Sequence, residues 1–307
     1  MTAARIRVLP IAALLVCASP APVAAQNRLV AEIPIELAHD RTIVPVTVGG
    51  ATLRLILDSG MPYDGVLVFD TAKVDLRRFP GLIEAQIGGA GQGGASRALH
   101  DPAVGFSVGS LDCGGQPVTL LTSGIYEGFP NDGVIGYSLL GHYAVELDYG
   151  AARLRLYEAD TYAPGAGWSS VDISFKANRI PWMDIAVAGA GEAPESLAAY
   201  IDFASGEAVE LLERDGKAFP VPATAERRLI GRGLSGDIYG TATRLSRVVV
   251  GPFTLEDIPA MVTPAEVRSR QVGADAVVGS GLLARFDLVF DYAHGKLHLR
   301  ERAPAQR

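Results

Sequence analysis

Cysteine is nearly absent: the 307-residue chain carries two, Cys17 and Cys113. So few cysteines build neither a disulfide framework nor a cysteine-based metal site. An excess of positive charge is missing too. Lys and Arg number 27 against 34 Asp and Glu, a formal net charge of −7, and no Lys/Arg stripe is present to neutralise phosphates. No nucleic-acid partner is expected. Beyond the N-terminus there is no apolar run long enough to cross a bilayer, so no membrane span is expected. Nor is there a long segment of helical periodicity.

The N-terminus has the layout of an export signal. Arg5 and Arg7 precede a short apolar core, Ile11 to Val16, and Val23-Ala24-Ala25 suits a cleavage site after Ala25. Residues 1–25 are therefore read as a signal peptide and the protein as periplasmic or secreted. A lipoprotein anchored through Cys17 is less consistent, because bulky Val16 precedes that cysteine. Removing residues 1–25 takes away two Arg, moves the net charge to about −9, and leaves Cys113 alone.

What is present, above all, is a repeat. The segment Asp132-Gly-Val-Ile-Gly136, continuing through Leu140 to Asp148-Tyr149, matches Asp275-Ala-Val-Val-Gly279, continuing through Leu283 to Asp291-Tyr292, at a constant offset of 143. The front halves match more loosely, with Asp58 and Asp202 offset by 144. The copies are placed at 27–162 and 163–307, with 163–168 as a short linker. Each copy reads as β. The runs Val44–Val48, Leu53–Leu57, Val145–Leu147 and Leu154–Leu156 lie between Gly and Asp turn signals, and one short helix per copy is expected, at 138–143 and 280–286.

In the first copy an apolar strand runs into Asp58-Ser59-Gly60, and Val134-Ile135-Gly136 follows some way on. In this layout the chain resembles the tandem retropepsin-like aspartic peptidases of bacteria, over nearly its whole length after residue 25. The resemblance implies an all-β fold of two retropepsin- or pepsin-like lobes with a cleft between them. It also implies an aspartic endopeptidase that cuts peptides or unfolded protein with a water activated between Asp58 and Asp202. Two neighbouring carboxylates cannot both ionise easily, so one serves as base while the other holds the proton. Ser59 would brace the two loops against each other, and Gly60 would let the backbone approach the carboxylate. No cofactor or metal is implied.

The second copy departs from the pattern. It reads Asp202-Phe203-Ala204, with Phe where Thr or Ser belongs and Ala where Gly belongs. Three arrangements stay open: an asymmetric pair of Asp58 and Asp202 within a two-lobed monomer, a homodimer pairing two copies of Asp58, and a periplasmic peptide- or envelope-binding module that has kept the fold without the chemistry.

Each copy also contains a literal G-x-G-x-x-G, at Gly89/Gly91/Gly94 and Gly231/Gly233/Gly236. No βαβ unit surrounds either match, so both read as hairpin tips over the cleft and not as a dinucleotide site. Gly91, Gly93 and Tyr239 are the candidate substrate contacts of these flaps. His294 and His298 are read as a solvated strand face, Asp148 and Asp291 as turn-capping residues, and Cys113 as a structural thiol. Ser-His-Asp chemistry is not expected.

Overall fold

The computed structural model describes residues 27–176, 178–268 and 271–302. The proposed export signal lies outside these residues. The described residues form three sheets and two single-turn α-helices, Tyr137–Leu140 and Ser280–Leu283, each shorter than the sequence suggests because the next strand starts within three residues of its end.

A ten-stranded sheet is built from the first half and an eight-stranded sheet from the second. Strand Arg41–Val48 shows the local logic. Its β-branched run buries Val44, Val46 and Val48 on one face, while Thr47 on the other is exposed. Pro45, which has no N–H to donate, sits where the strand's outer edge is free, between its pairing with Glu36–Ala38 and its single pair to Ser107. Gly49-Gly50 then closes a hairpin onto Ala51–Leu57.

The two halves meet in a six-stranded sheet to which each contributes three strands. At its centre Tyr143–Asp148 pairs antiparallel with Phe286–Asp291, Val145 opposite Phe290 and Leu147 opposite Leu288. One continuous core of buried Val, Leu, Ile and Phe runs through both halves and this sheet. Asp148 and Asp291 cap their turns as expected, accepting from the N–H groups of Ala151 and His294.

His298 is a correction. It is 3% exposed, not solvated, and lies between Ser170 Oγ at 2.8 Å and Asp291 Oδ2 at 3.2 Å. Its strand begins only at Lys296, Ser169–Asp172 pairs along its edge, and the Tyr162 ring, with its centroid 5.8 Å from that of His298, covers the face that the sequence suggested was open. His294 sits in the turn and shares Asp291 through Nδ1 at 2.9 Å. Burial pushes the Asp291 carboxyl up, but hydrogen bonds from His298 and His294 outweigh it and hold it below the usual range.

Candidate active site

Each half delivers one carboxylate by the same local device. Ala51–Leu57 ends at Asp58 and lies parallel to Gly133–Ile135; Glu195–Asp202 lies parallel to Ala276–Gly279. The Asp58 N–H donates to the Ile135 carbonyl at 2.8 Å, which fixes the loop to its neighbour. Each strand is buried along its last residues, Leu55 to Leu57 and Ala199 to Ile201, so its Asp is the first polar side chain after that apolar stretch, at the gap between halves.

The loops meet there. A Cβ on Gly60 would lie 3.0 Å from Asp58 Oδ1 and 3.4 Å from Asp202 Oδ1, so both carboxylates converge on this one glycine. Its N–H donates to Asp58 Oδ1 at 2.7 Å. The Ser59 hydroxyl crosses to the other loop, donating to the Ile201 carbonyl at 2.8 Å and accepting from the Phe203 N–H at 2.9 Å. Burial, and then the charge of Asp202, push the Asp58 carboxyl up to about 7.

Above the pair lies a cavity of about 590 Å3, walled by Ile56, Leu67, Phe69, Tyr126, Val134 and Tyr200 among others. Two hairpins roof it. The first runs from Ile83–Ile87 to Ser96–Asp101, and the second from Arg227–Gly233 through Leu234-Ser235 into Gly236–Val250. Their tips are joined: Gly93 N–H donates to Ser235 O at 2.5 Å, Ser235 N–H to Ala90 O at 2.9 Å, and Ser96 Oγ to Leu234 O at 2.7 Å. A Cβ at Gly233 would stand 2.1 Å from Ala90 O, so only glycine permits this approach.

A solved structure from Irpex lacteus, described as an aspartic proteinase, superposes on this chain with a TM-score of 0.52 at 12% identity, covering 90% of this chain and 98% of that one. The fold is the acid-protease fold. At that identity the likeness establishes architecture alone. No protein-family model matches the chain, and no curated protein matches it by sequence.

Within the acid-protease fold the expected residues fall unevenly. Asp58, Ser59, Gly60 and Asp202 come together within one chain. The flap residues do not reach the cavity. Gly91 and Gly93 are spent on hairpin contacts, Gly91 N–H donating to the Val267 carbonyl at 2.9 Å, and it is Gly88, Gly89 and Ala90 that line the roof. Tyr239 is 38% exposed on the outer face of its strand, with Arg227 over its ring, because alternation gives the cavity side to Ile238. Phe203 is fully buried against Phe290 with ring centroids 5.4 Å apart, which explains the apolar residue there: the position points into the core and not across the loop junction.

Sequence reading missed Arg268 and Glu210. Arg268 Nη1 donates to Asp202 Oδ2 at 2.9 Å, while its Nε and Nη2 donate to the two Glu210 oxygens at 3.2 and 2.6 Å. A lone acid inside the apolar run Val209-Glu-Leu-Leu212 was the available signal for Glu210. It also missed a literal Gly-x-Ser-x-Gly at 105–109. Ser107 there lies on strand Phe106–Val108, which hairpins into Leu111–Cys113 and not into a helix, so it forms no nucleophile turn. Cys113 is buried, and burial with Asp112 nearby pushes its thiol up to about 11, which suits a structural role. Among the described residues no cluster of His, Cys, Asp or Glu is arranged to hold a metal ion, and no helix is long and apolar enough to cross a membrane.

Proposed function

We propose that this protein is an exported aspartic endopeptidase whose catalytic pair is Asp58 and Asp202. The observation that carries the reading is the convergence of the two carboxylates on Gly60, with Asp58 pushed up to about 7 inside a roofed cavity. In the reaction, one carboxylate takes a proton from a water whose oxygen bonds to the scissile carbonyl carbon. The other gives its proton to the carbonyl oxygen. Collapse of the resulting diol breaks the C–N bond, and the leaving amine takes a proton from the pair. Ser59 holds the two loops in register for this, and Gly60 fixes the Asp58 carboxylate through its N–H.

The substrate is an extended peptide or an unfolded segment, seated against apolar walls and under hairpins that offer main-chain hydrogen bonds. Entry requires the joined tips to part. The two halves at 27–162 and 163–307 serve as the lobes, and residues 1–25 direct export.

A second reading draws on one observation. Phe203 leaves the loop junction with a single bracing hydroxyl, that of Ser59, which favours a peptide-binding module that holds its ligand without cutting it. Incubation of the purified protein with a mixture of unfolded peptides, from about pH 3 to 8, separates the two. Cleavage that falls by about 10²-fold or more in both Asp58→Asn and Asp202→Asn supports the peptidase. Peptide binding by a folded protein that cleaves at no pH supports the module.

A further inference from the structure

The two carboxylates sit in unequal surroundings, and the repeat shows where the inequality arises. Leu67 and Glu210 stand 143 positions apart and hold the same place in their sheets, Leu67 opposite Val134 and Glu210 opposite Val277. In the first half this place belongs to an apolar cluster in which the Phe69 and Tyr126 rings stack at 3.8 Å. In the second half it holds an acid that is 1% exposed, and the segment following the adjacent strand supplies Arg268 instead of Tyr126. One half therefore backs its catalytic loop with hydrocarbon and the other with an ion pair.

The chemistry of the contacts separates the two aspartates. A guanidinium has donors only and never gives up its proton in a protein. Asp202 Oδ2 accepts one of those N–H bonds, and protonating it would exchange a charge-assisted bond for a weaker one. Glu210 is occupied by the other two N–H groups and by Ser205 Oγ at 2.8 Å, so it neither competes for the pair's proton nor leaves Arg268 unbalanced. Asp58 accepts from the Gly60 N–H, and among the described residues it pairs with no cation.

We infer that Arg268 is a positioning residue that holds the negative charge of the pair on Asp202 and leaves its proton on Asp58. Resting on the peptidase reading, this assigns the roles: Asp202 takes the proton from water and Asp58 donates to the carbonyl oxygen.

The other groups facing the pair do not alter the assignment. Tyr126, Tyr200 and Tyr292 are pushed up by burial and stay neutral. Arg41 faces Asp202 but spends its Nε on the Ala204 carbonyl at 2.8 Å and has Glu207 and Asp40 near it. Among the described residues Arg268 is the cation in direct contact with the pair. The rise of Asp58 to about 7, through burial first and the Asp202 charge second, agrees with this placement.

Carboxyl ¹³C NMR on aspartate-labelled protein tests the inference whether or not the protein cleaves anything. The two signals are assigned with Asp58→Asn and Asp202→Asn. The proton that the pair takes up near neutrality should appear on the Asp58 signal and not on that of Asp202. In the double variant Arg268→Met with Glu210→Gln, which removes both charges together, that proton should be shared, the Asp202 signal moving toward its protonated position as the Asp58 signal moves less. Arg268→Lys should keep the wild-type pattern. A proton that settles on Asp202 while Asp58 stays ionised overturns the inference, as does a distribution unchanged in the double variant. If the double variant does not fold, the wild-type and Arg268→Lys titrations still decide. Should the titrations come out as expected with no cleavage by any form, the charge placement stands and the peptidase reading falls. Where cleavage is seen, the pH profile of kcat/KM should change shape in the double variant and keep its wild-type shape in Arg268→Lys.

Discussion

The Ser59 hydroxyl accepts a hydrogen bond from the Phe203 N–H at 2.9 Å, joining the carboxylate loop of one half to that of the other. The same oxygen donates to the Ile201 carbonyl, and Ser59 is 2% exposed, so water cannot replace either bond. No matching bond runs the other way, since Phe203 is in the core. One side chain thus carries both polar contacts between the two carboxylate loops.

Ser59→Ala should therefore cost about 1–3 kcal/mol, because a buried N–H and a buried C=O both lose their partner. Urea unfolding followed by fluorescence measures it. A change below about 0.5 kcal/mol would mean that the loops are held by packing alone.

Asp58 links stability to pH with a definite sign. Its carboxyl lies at about 7 in the folded chain against an ordinary 3.8, so between those values the folded protein binds more protons than the unfolded. The Asp58 contribution is fully present below the ordinary value and is lost as pH rises through the folded one. Asp58→Asn should consequently gain in Tm over the wild type from about pH 4 to pH 8, a trend readable by calorimetry. A constant gap across that range would contradict the elevated carboxyl.

The roof over the cavity should loosen at one atom. Gly233→Ala would drive a Cβ to 2.1 Å from the Ala90 carbonyl, so the hairpin tips must separate. Hydrogen exchange at the Ser235 and Gly93 amides should then accelerate by about tenfold, the scale of one lost hydrogen bond, with little change in the six-stranded sheet. Uniform acceleration through all three sheets would indicate general destabilisation instead.

Asp291 and His298 form a polar strut inside the shared sheet, 1% and 3% exposed. Asp291→Ala strands the His298 ring and should cost about 1–3 kcal/mol near neutral pH. The Asp291 carboxyl is held below its ordinary 3.8, so its stabilisation is present above that value and disappears as pH falls through the folded one. The gap between wild type and variant should accordingly narrow in acid, as thermal unfolding at about pH 7 and pH 3 would show.

The β character and the place of Asp58 at the end of an apolar strand were legible in the chain, because each rests on local pattern, while the partner of Asp58, whether Asp202 or a second Asp58, was left open by it. The strand Ala51–Leu57 and its partner Gly133–Ile135 needed no more than that. Tyr239 shows the limit. It lies in the second hairpin over the cavity, yet the side of the strand it faces depends on register, and a shift of one residue exchanges Ile238 for Tyr239. His298 shows another. A strand that alternates His with Lys looks solvated until the ring of Tyr162, from far along the chain, lies over it.

Alternation and turn residues were enough for the all-β class and for an Asp at the end of an apolar strand, because both are local. Which carboxylates meet, and how unequal they are, depends on packing between residues far apart in the chain. Arg268 is 66 positions from Asp202 and 58 from Glu210, and no periodicity couples residues that far apart. They meet because neighbouring strands of the second sheet deliver them to one buried place, where the low dielectric makes each charge depend on the others.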